Sequence, residues 1–196
     1  MSLRVPVHYD LASTLCYVAH RTLPRLTETL RELEIELVWR PLDLARLLGW
    51  RRGGVVAGHR RRNALAVAEE FGVALRMPSH WLDSRRALAF GLAQRDPAVA
   101  ASWRERVFSA VFEEGRSIDR DDELARLARE LGLTLDPHAI DAGLDELARL
   151  TERARDAEVT GVPTFQLGAW PLGGIQSDET MRAILGRWAD RQRTLR

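Results

Sequence analysis

The sequence contains no lysine, so its 29 strongly basic residues are all arginine, and Schiff-base or general-base lysine chemistry is excluded. The single cysteine, Cys16, excludes an internal disulfide. No apolar run approaches the ~20 residues that a membrane span requires. The 29 basic and 28 acidic residues leave a net charge of +1, so no bulk field favours nucleic acid or an anionic membrane as a partner.

The composition is that of a globular protein. The chain has 196 residues, of which 45% are hydrophobic and 29% are charged, enough to bury a core without disulfides or metals. The histidines show no metal-ligand spacing, so we predict no metal site. The first residues lack the long apolar core and small-residue cleavage site of a signal peptide, so we expect a cytoplasmic protein.

The first 40 residues predict a strand, a helix and a second strand. Residues 5–9 form a short apolar run typical of a strand, and residues 34–39 alternate before becoming continuously apolar. Between them Ser13 marks a helix start, and Pro24 is expected to kink that helix or end its first half.

The remaining residues predict a helical block followed by a hairpin and a closing helix. From Pro41 to Ala157 the pattern favours helices and no strand. The candidate helices cover residues 63–71, 83–93, 97–113, 119–131 and 137–157. Residues 164–167 and 169–172 predict two short strands joined at Gly168, and a last helix begins at Ser177. The order is βαβ, a helical insertion, then ββα.

This order is the thioredoxin plan, and two motifs agree with it. Ser13-Thr-Leu-Cys16 lies where the first strand passes into the first helix, and Thr160-Gly-Val-Pro-Thr-Phe165 places a proline at a strand start. Together with the helical insertion they resemble the DsbA-like thioredoxin-fold superfamily, and within it the 2-hydroxychromene-2-carboxylate isomerases and kappa-class glutathione transferases. The resemblance implies an α/β thioredoxin fold, with a thioredoxin-like domain at residues 1–40 and 158–196 and an all-helical insertion, or lid, domain at 41–157.

Other positions agree with the family pattern or depart from it. Tyr9-Asp10 and Ser84-Arg85 agree with it. Thr14-Leu15 replaces the usual Pro-Tyr, and Asn63 stands where an Asp is usual. The lysine and asparagine of the family's lid are not recognisable in Trp50-Arg-Arg-Gly-Gly.

The resemblance also implies a function for Ser13. Redox-active members need two cysteines at the helix start, and here the attacking position is a serine. In the isomerase and kappa branches this serine is implied to hydrogen-bond the thiolate of bound glutathione. Lowering a thiol pKa from ~8.5 to give mostly thiolate at pH 7 requires about 2 kcal/mol. A helix N-terminus supplies ~0.3–1 kcal/mol, and a hydroxyl donating to charged sulfur ~1.5–3 kcal/mol.

We therefore predict a glutathione-dependent isomerase or transferase with Ser13 as its catalytic residue. The alternative for Ser13 is a plain helix N-cap. The implied substrate is a small aromatic or unsaturated acid, and the implied assembly is a homodimer.

Four further residues are implied to bind glutathione. Val162 and Pro163 would pair with its main chain, or else merely begin a strand. Ser177 and Asp178 would hold its γ-glutamyl end, or else cap the last helix, with Gln176 as a neighbouring candidate. We expect the Val162–Pro163 peptide bond to be cis and to lie within a few ångströms of Ser13.

Two other functions are alternatives. One is a redox-inactive relative of the thiol-disulfide oxidoreductases that binds a peptide or protein partner beside Pro163. The other is monothiol chemistry at Cys16, with His20 one helical turn on lowering the thiol pKa. A quiet, buried Cys16 is the competing interpretation.

The remaining polar runs and one tryptophan complete the candidate site. Arg51–Arg52 and Arg60–Arg62 could meet an anionic substrate or the glycine carboxylate of glutathione, or else form a solvated face. Trp81 is expected to line the cleft.

Overall fold

The structure is a computed structural model that describes residues 2–195. In these residues one sheet has the strand order β2-β1-β3-β4. The strands are β1 (Leu3–Tyr9), β2 (Ile35–Pro41), β3 (Thr164–Leu167) and β4 (Trp170–Gly173). β1 runs parallel to β2 and antiparallel to β3, and β3 runs antiparallel to β4. This is the thioredoxin topology that the sequence predicted.

The helices flank the strands and fill the segment between β2 and β3. They are α1 (Thr14–Thr22), α2 (Thr27–Glu32), α3 (Leu44–Leu48), α4 (Gly58–Glu70), α5 (Arg85–Ala93), α6 (Pro97–Phe112), α7 (Asp121–Glu130), α8 (Pro137–Asp156) and α9 (Asp178–Thr194). Within residues 2–195, none of the helices is long and apolar enough to cross a bilayer.

The first helical segment is interrupted at Pro24, as predicted. α1 ends at Thr22, a 3-10 helix covers Leu23–Leu26, and α2 then continues in the chain. Proline has no amide hydrogen, and its ring obstructs the preceding turn of an α-helix. The break therefore separates the turn that carries Ser13 from the solvent-exposed second half of the segment.

The structure departs from the predicted boundaries in several places, among them the start of α4, which lies at Gly58 and not at residue 63. α3 was not predicted, because five residues are too few to show a helical period. Pro41 belongs to β2, opposite Tyr9, rather than to the helical block. An antiparallel bridge joins Val55 to His80 in the segment where no strand was expected.

Two hydrophobic clusters form the core. The smaller lies between the sheet and α9 and includes Val5, Val7 and Phe165. The larger joins the C-terminal end of β1 and α1 to the helices of residues 41–157, and Tyr9 and Tyr17 belong to it. The start of α1 is therefore packed against the helical block, although the domain boundaries themselves stay a prediction.

Candidate functional site

Ser13 and Val162, far apart in the sequence, line one cavity of about 280 Å³. The lining residues come from the start of α1, from α3 and α4, and from the loops before α5 and β3. They are Ser13, Thr14, Leu15, Leu44, Leu48, Trp50, Val56, Arg60, Asn63, Ala64, Met77, Trp81, Thr160, Gly161 and Val162. The Val162–Pro163 peptide bond is cis, as predicted. Val162 lines the same cavity as Ser13, and the expected separation of a few ångströms stays a prediction.

Two larger cavities, of about 480 and 600 Å³, contain neither Ser13 nor Val162. In the first of them Arg52 pairs with Asp43, and in the second Arg116 pairs with Glu130, so part of the positive charge in each cavity is already neutralised. Neither cavity, nor any other part of residues 2–195, gathers three or more His, Cys, Asp or Glu side chains that could hold a metal ion. The cavity at Ser13 is therefore the candidate site.

Ser13 is the N-cap of α1 and is 4% exposed. Its Oγ accepts a hydrogen bond from the Cys16 amide at 3.3 Å, which leaves the hydroxyl hydrogen available to a ligand. Thr14 and Leu15 follow in the first turn, where amides have no partner within the helix, and both line the cavity. The hydroxyl and the helix N-terminus both favour a negatively charged atom at this wall.

Asp10 holds the turn that carries Ser13. Its carboxylate, 1% exposed, accepts hydrogen bonds from the Ala12 amide at 2.8 Å, the Leu44 amide at 2.9 Å and the Ser84 hydroxyl at 2.6 Å. Its main-chain oxygen accepts from the Ser13 amide at 3.1 Å. Burial raises the pKa of the Asp10 carboxyl to about 6, although the three donors act to lower it. Asp10 thus ties the end of β1 to the starts of α3 and α5.

Sequence reasoning matched Asp10 and Ser84 to the family pattern but gave them no role. The role of Asp10 could have been inferred from its position, because it is a carboxylate that directly follows an apolar strand. Such a residue is buried by the fold and needs donors from elsewhere.

Cys16 is fully buried, and its burial raises the pKa of the thiol to about 12. His20 lies beside Glu105, with 2.5 Å between Nε2 and the carboxylate oxygen, and its own pKa is lowered mainly by burial. The hypothesis that His20 lowers the pKa of Cys16 is therefore wrong, because desolvation dominates at the thiol. The interpretation of Cys16 as a quiet core residue agrees with the structure.

Arg60 is the only formally charged side chain among the cavity residues that the structure describes. Its guanidinium carbon lies 4.2 Å from the centroid of the Trp50 ring. Trp50 in turn meets Trp81 edge to face, with ring centroids 4.7 Å apart. Trp81 therefore lines the cleft as predicted, and the two indoles build an aromatic wall around one cation.

The other predicted arginines do not line this cavity. Arg52 forms an ion pair with Asp43. Arg61 donates to the main-chain oxygens of Met77 and Pro78, at 3.2 and 3.3 Å. Of the three arginines at 60–62, only Arg60 thus lines the candidate site within the described residues.

Ser177 and Asp178 lie outside this cavity. Ser177 caps α9, and its hydroxyl accepts from the Thr180 amide at 3.2 Å. Asp178 and Gln176 line a separate small depression beside Thr22. The structure thus shows Ser177 in the capping role that was its alternative interpretation. The binding of glutathione by Ser177 and Asp178 stays a prediction.

Comparison with known proteins extends over nearly the whole chain. The sequence profile of the DSBA-like thioredoxin domain matches residues 4–186. The structure of a 2-hydroxychromene-2-carboxylate isomerase superimposes with a TM-score of 0.74 over 99% of this chain and 100% of its own, at 24% identity.

Two proteins of thiol-disulfide chemistry are also similar. A probable DsbA oxidoreductase from Streptomyces coelicolor has a TM-score of 0.73 and 22% identity, over 94% of this chain and 89% of its own. The cytosolic disulfide reductase DsbM from Pseudomonas aeruginosa, solved with GSH, has a TM-score of 0.63 and 21% identity, over 98% of each chain. At these identities the likeness concerns the fold.

Proposed function

This chain belongs to the family of DSBA-like thioredoxin domains, and on that premise we propose that it is a glutathione-dependent isomerase or transferase. The observation that carries the proposal is the meeting of Ser13 with residues 160–162 in one cavity at the start of α1. A disulfide cycle at this helix start needs a cysteine at position 13, and the chain has a serine there. Since Cys16 is buried, a reactive thiol has to come with a ligand.

The cavity residues fit a small thiol-bearing peptide. Residues 160–162 precede β3 and lie outside its ladder. The Gly161 oxygen accepts from the Thr164 hydroxyl at 2.8 Å, so the Val162 main chain is the part that would pair with an extended ligand. Ser13 offers a hydroxyl donor to sulfur, and Arg60 offers a cation to a carboxylate. The similarity to DsbM, which was solved with GSH, supports glutathione as that peptide.

Ser13 and the start of α1 would stabilise the thiolate together. A helix N-terminus contributes up to ~2 kcal/mol where it is partly buried. A hydroxyl donor to a charged group adds ~1.5–3 kcal/mol. Because Ser13 is 4% exposed, water screens neither contribution strongly. Their sum exceeds the roughly 2 kcal/mol that ionisation at neutral pH requires.

Glutathione, held by Ser13, the start of α1 and residues 160–162, would supply a thiolate nucleophile to an electrophilic carbon of an aromatic or unsaturated acid. For an isomerase the C–S bond would form and break again, returning the thiolate; for a transferase it would replace the bond to a leaving group. The chain's own part is to hold the sulfur at Ser13 and to shelter it with Trp50 and Trp81. The similarity to a 2-hydroxychromene-2-carboxylate isomerase supports the isomerase type.

Isothermal titration with glutathione tests this function. We expect saturable binding at millimolar or lower concentration by the wild type and by Arg62→Gln, whose side chain lies outside the cavity. No binding at millimolar glutathione would reject the proposal. In turnover assays with unsaturated acids, Ser13→Ala is expected to lower kcat while the protein stays folded.

A second candidate is a redox-inactive peptide-binding protein. The absence of a thiol at position 13 favours it, as does the segment at 160–162 that lines the cavity outside a strand. Recovery of one stable protein partner, together with no binding of glutathione, would support this candidate over the enzyme.

A further inference from the structure

We propose that Arg60, seated on Trp50, is the carboxylate-binding residue of the Ser13 cavity and sets its preference for acidic ligands. The inference concerns the cavity of the proposed function and deepens it, since it assigns the ligand's negative group to one side chain. It needs no thiol chemistry to be tested.

The three consecutive arginines at the start of α4 have different surroundings. Arg60 lines the cavity with Asn63 and Ala64, the three and four positions further on that share its helix face. Arg61 bonds to the main-chain oxygens of the loop at 77–78. Arg62 does not line the cavity. A solvated run would show no such division, and the division supplies a matched control.

The positive charge of Arg60 has no counterion within the described part of the chain. The arginines of the adjacent cavity are all neutralised, by the pairs Arg46–Glu152, Arg52–Asp43 and Arg85–Asp83. No carboxylate of residues 2–195 lies within ion-pair distance of Arg60, which instead contacts an aromatic ring. A cation left without a partner beside an apolar wall is suited to bind an anionic group.

Trp50 holds the guanidinium in a binding geometry. A guanidinium that lies over an indole uses its face for the cation–π contact and keeps its in-plane N–H groups for a bidentate carboxylate. Trp50 is itself fixed, because its amide donates to the Ala45 oxygen at 2.8 Å and its ring contacts Trp81. The arginine therefore loses less conformational freedom when a ligand binds.

The ligand's carboxylate could belong to glutathione or to the electrophile. The shared chemistry is a carboxylate on a ligand whose remainder meets apolar side chains such as Leu44, Leu48 and Met77. Ser13 marks the reacting end of the same cavity. Two arms of one experiment separate the two sources.

In the first arm, quenching of tryptophan fluorescence measures the binding of trans-cinnamate and of its neutral analogue trans-cinnamamide. We expect the wild type to prefer the acid. Arg60→Gln is expected to weaken cinnamate binding about tenfold or more without changing cinnamamide binding. Arg60→Lys keeps the charge but loses the paired N–H groups of the guanidinium, so its cinnamate affinity should lie between those of the wild type and Arg60→Gln. Arg62→Gln should match the wild type.

In the second arm, calorimetry compares glutathione binding by the same variants. A similar loss in Arg60→Gln would place a glutathione carboxylate at Arg60. Unchanged glutathione binding, together with the cinnamate loss, would place the electrophile's carboxylate there. Either result supports Arg60 as the carboxylate-binding residue.

The inference is overturned if Arg60→Gln and Arg62→Gln behave alike in both arms, or if the wild type binds neither carboxylate ligand. Its failure is distinct from failure of the glutathione function. If the wild type binds no glutathione but prefers cinnamate through Arg60, the role of Arg60 as the carboxylate-binding residue is supported and the glutathione-dependent function is rejected. Thermal unfolding of each variant confirms that the exposed substitution leaves the fold intact.

Discussion

The Ser84 hydroxyl donates a 2.6 Å hydrogen bond to the Asp10 carboxylate, and both residues are buried. Ser84 stands at the N-cap position of α5, yet its side chain makes no capping hydrogen bond there. The hydroxyl instead reaches the end of β1, where Asp10 orders the turn before Ser13. The Ser84 side chain thereby connects the helical block to the turn that precedes Ser13.

Replacing Ser84 by alanine is expected to destabilise the protein in a pH-dependent way. The lost donor stabilises the ionised form of Asp10, whose pKa of about 6 is already raised by burial. Above pH 6 the cost should be about 1.5–3 kcal/mol, and at pH 5 it should be smaller because the carboxyl is largely protonated. Urea unfolding at pH 5 and pH 8 measures both values.

In the wild type, the contribution of Asp10 to the free energy of unfolding decreases as the pH rises. Because folding raises the pKa of Asp10 from 3.8 to about 6, its contribution to stability is full below about pH 4 and is lost as the pH rises through 6. Ser102→Ala, at an exposed helix position, is the control and should show no pH dependence. Equal costs for Ser84→Ala at both pH values would contradict this role of Asp10.

Two helix glycines should respond in opposite directions to alanine. A Cβ on Gly143 in α8 would collide with the main-chain oxygen of Ala89 in α5, so the helices would have to move apart. We expect Gly143→Ala to lower the free energy of unfolding by about 1–3 kcal/mol. Gly186 in α9 has open space, so Gly186→Ala should raise it by up to ~1 kcal/mol. Stabilisation by both substitutions would disprove the close packing of α5 on α8.

Cys16 should be unreactive in the folded protein. At pH 7.5 a thiol with a pKa of about 12 holds far less thiolate than free cysteine, whose pKa is ~8.5. We expect alkylation by iodoacetamide at least about a hundredfold slower than for free cysteine. Unfolding in urea should restore the ordinary rate. A folded-state rate equal to that of free cysteine would bring back monothiol chemistry.

The parts of the fold that the sequence predicted depend on local patterns. The strand at 164–167 follows from its apolar alternation and bounding turn residues, and the break at Pro24 follows from proline geometry. α3 has no such pattern, because its five residues are shorter than two helical turns.

The site residues that belong to a local sequence motif could be predicted. The roles that depend on contacts between residues distant in the sequence could not. Ser13 and Val162 come from recognisable motifs. The role of Asp10 depends on Ser84 and on the Leu44 amide, which only the fold brings near. The four-residue spacing of Cys16 and His20 gave a shared helix face, but it carried no information on burial or on Glu105. Arg60 could not be separated from its neighbours, because the start of α4 at Gly58 was not recognised.

The central claim is that the Ser13 hydroxyl stabilises a ligand thiolate, and Ser13→Gly is the sharpest variant. Glycine at an N-cap costs only a few tenths of a kcal/mol, so the hydroxyl is lost with little loss of the helix cap. Asp96→Ala removes the cap of α6 and controls for stability alone, because Asp96 does not line the cavity.

The most direct measurement is a pH titration of the thiolate absorbance of bound glutathione in the wild type, Ser13→Gly and Asp96→Ala. The account predicts a thiol pKa at least about 1.5 below the ~8.5 of a free thiol in the wild type. It predicts the same value in Asp96→Ala, and a value about 1 or more higher in Ser13→Gly, since the lost hydrogen bond is worth ~1.5–3 kcal/mol. Equal values in the wild type and Ser13→Gly, or a wild-type value equal to that of free glutathione, would contradict it.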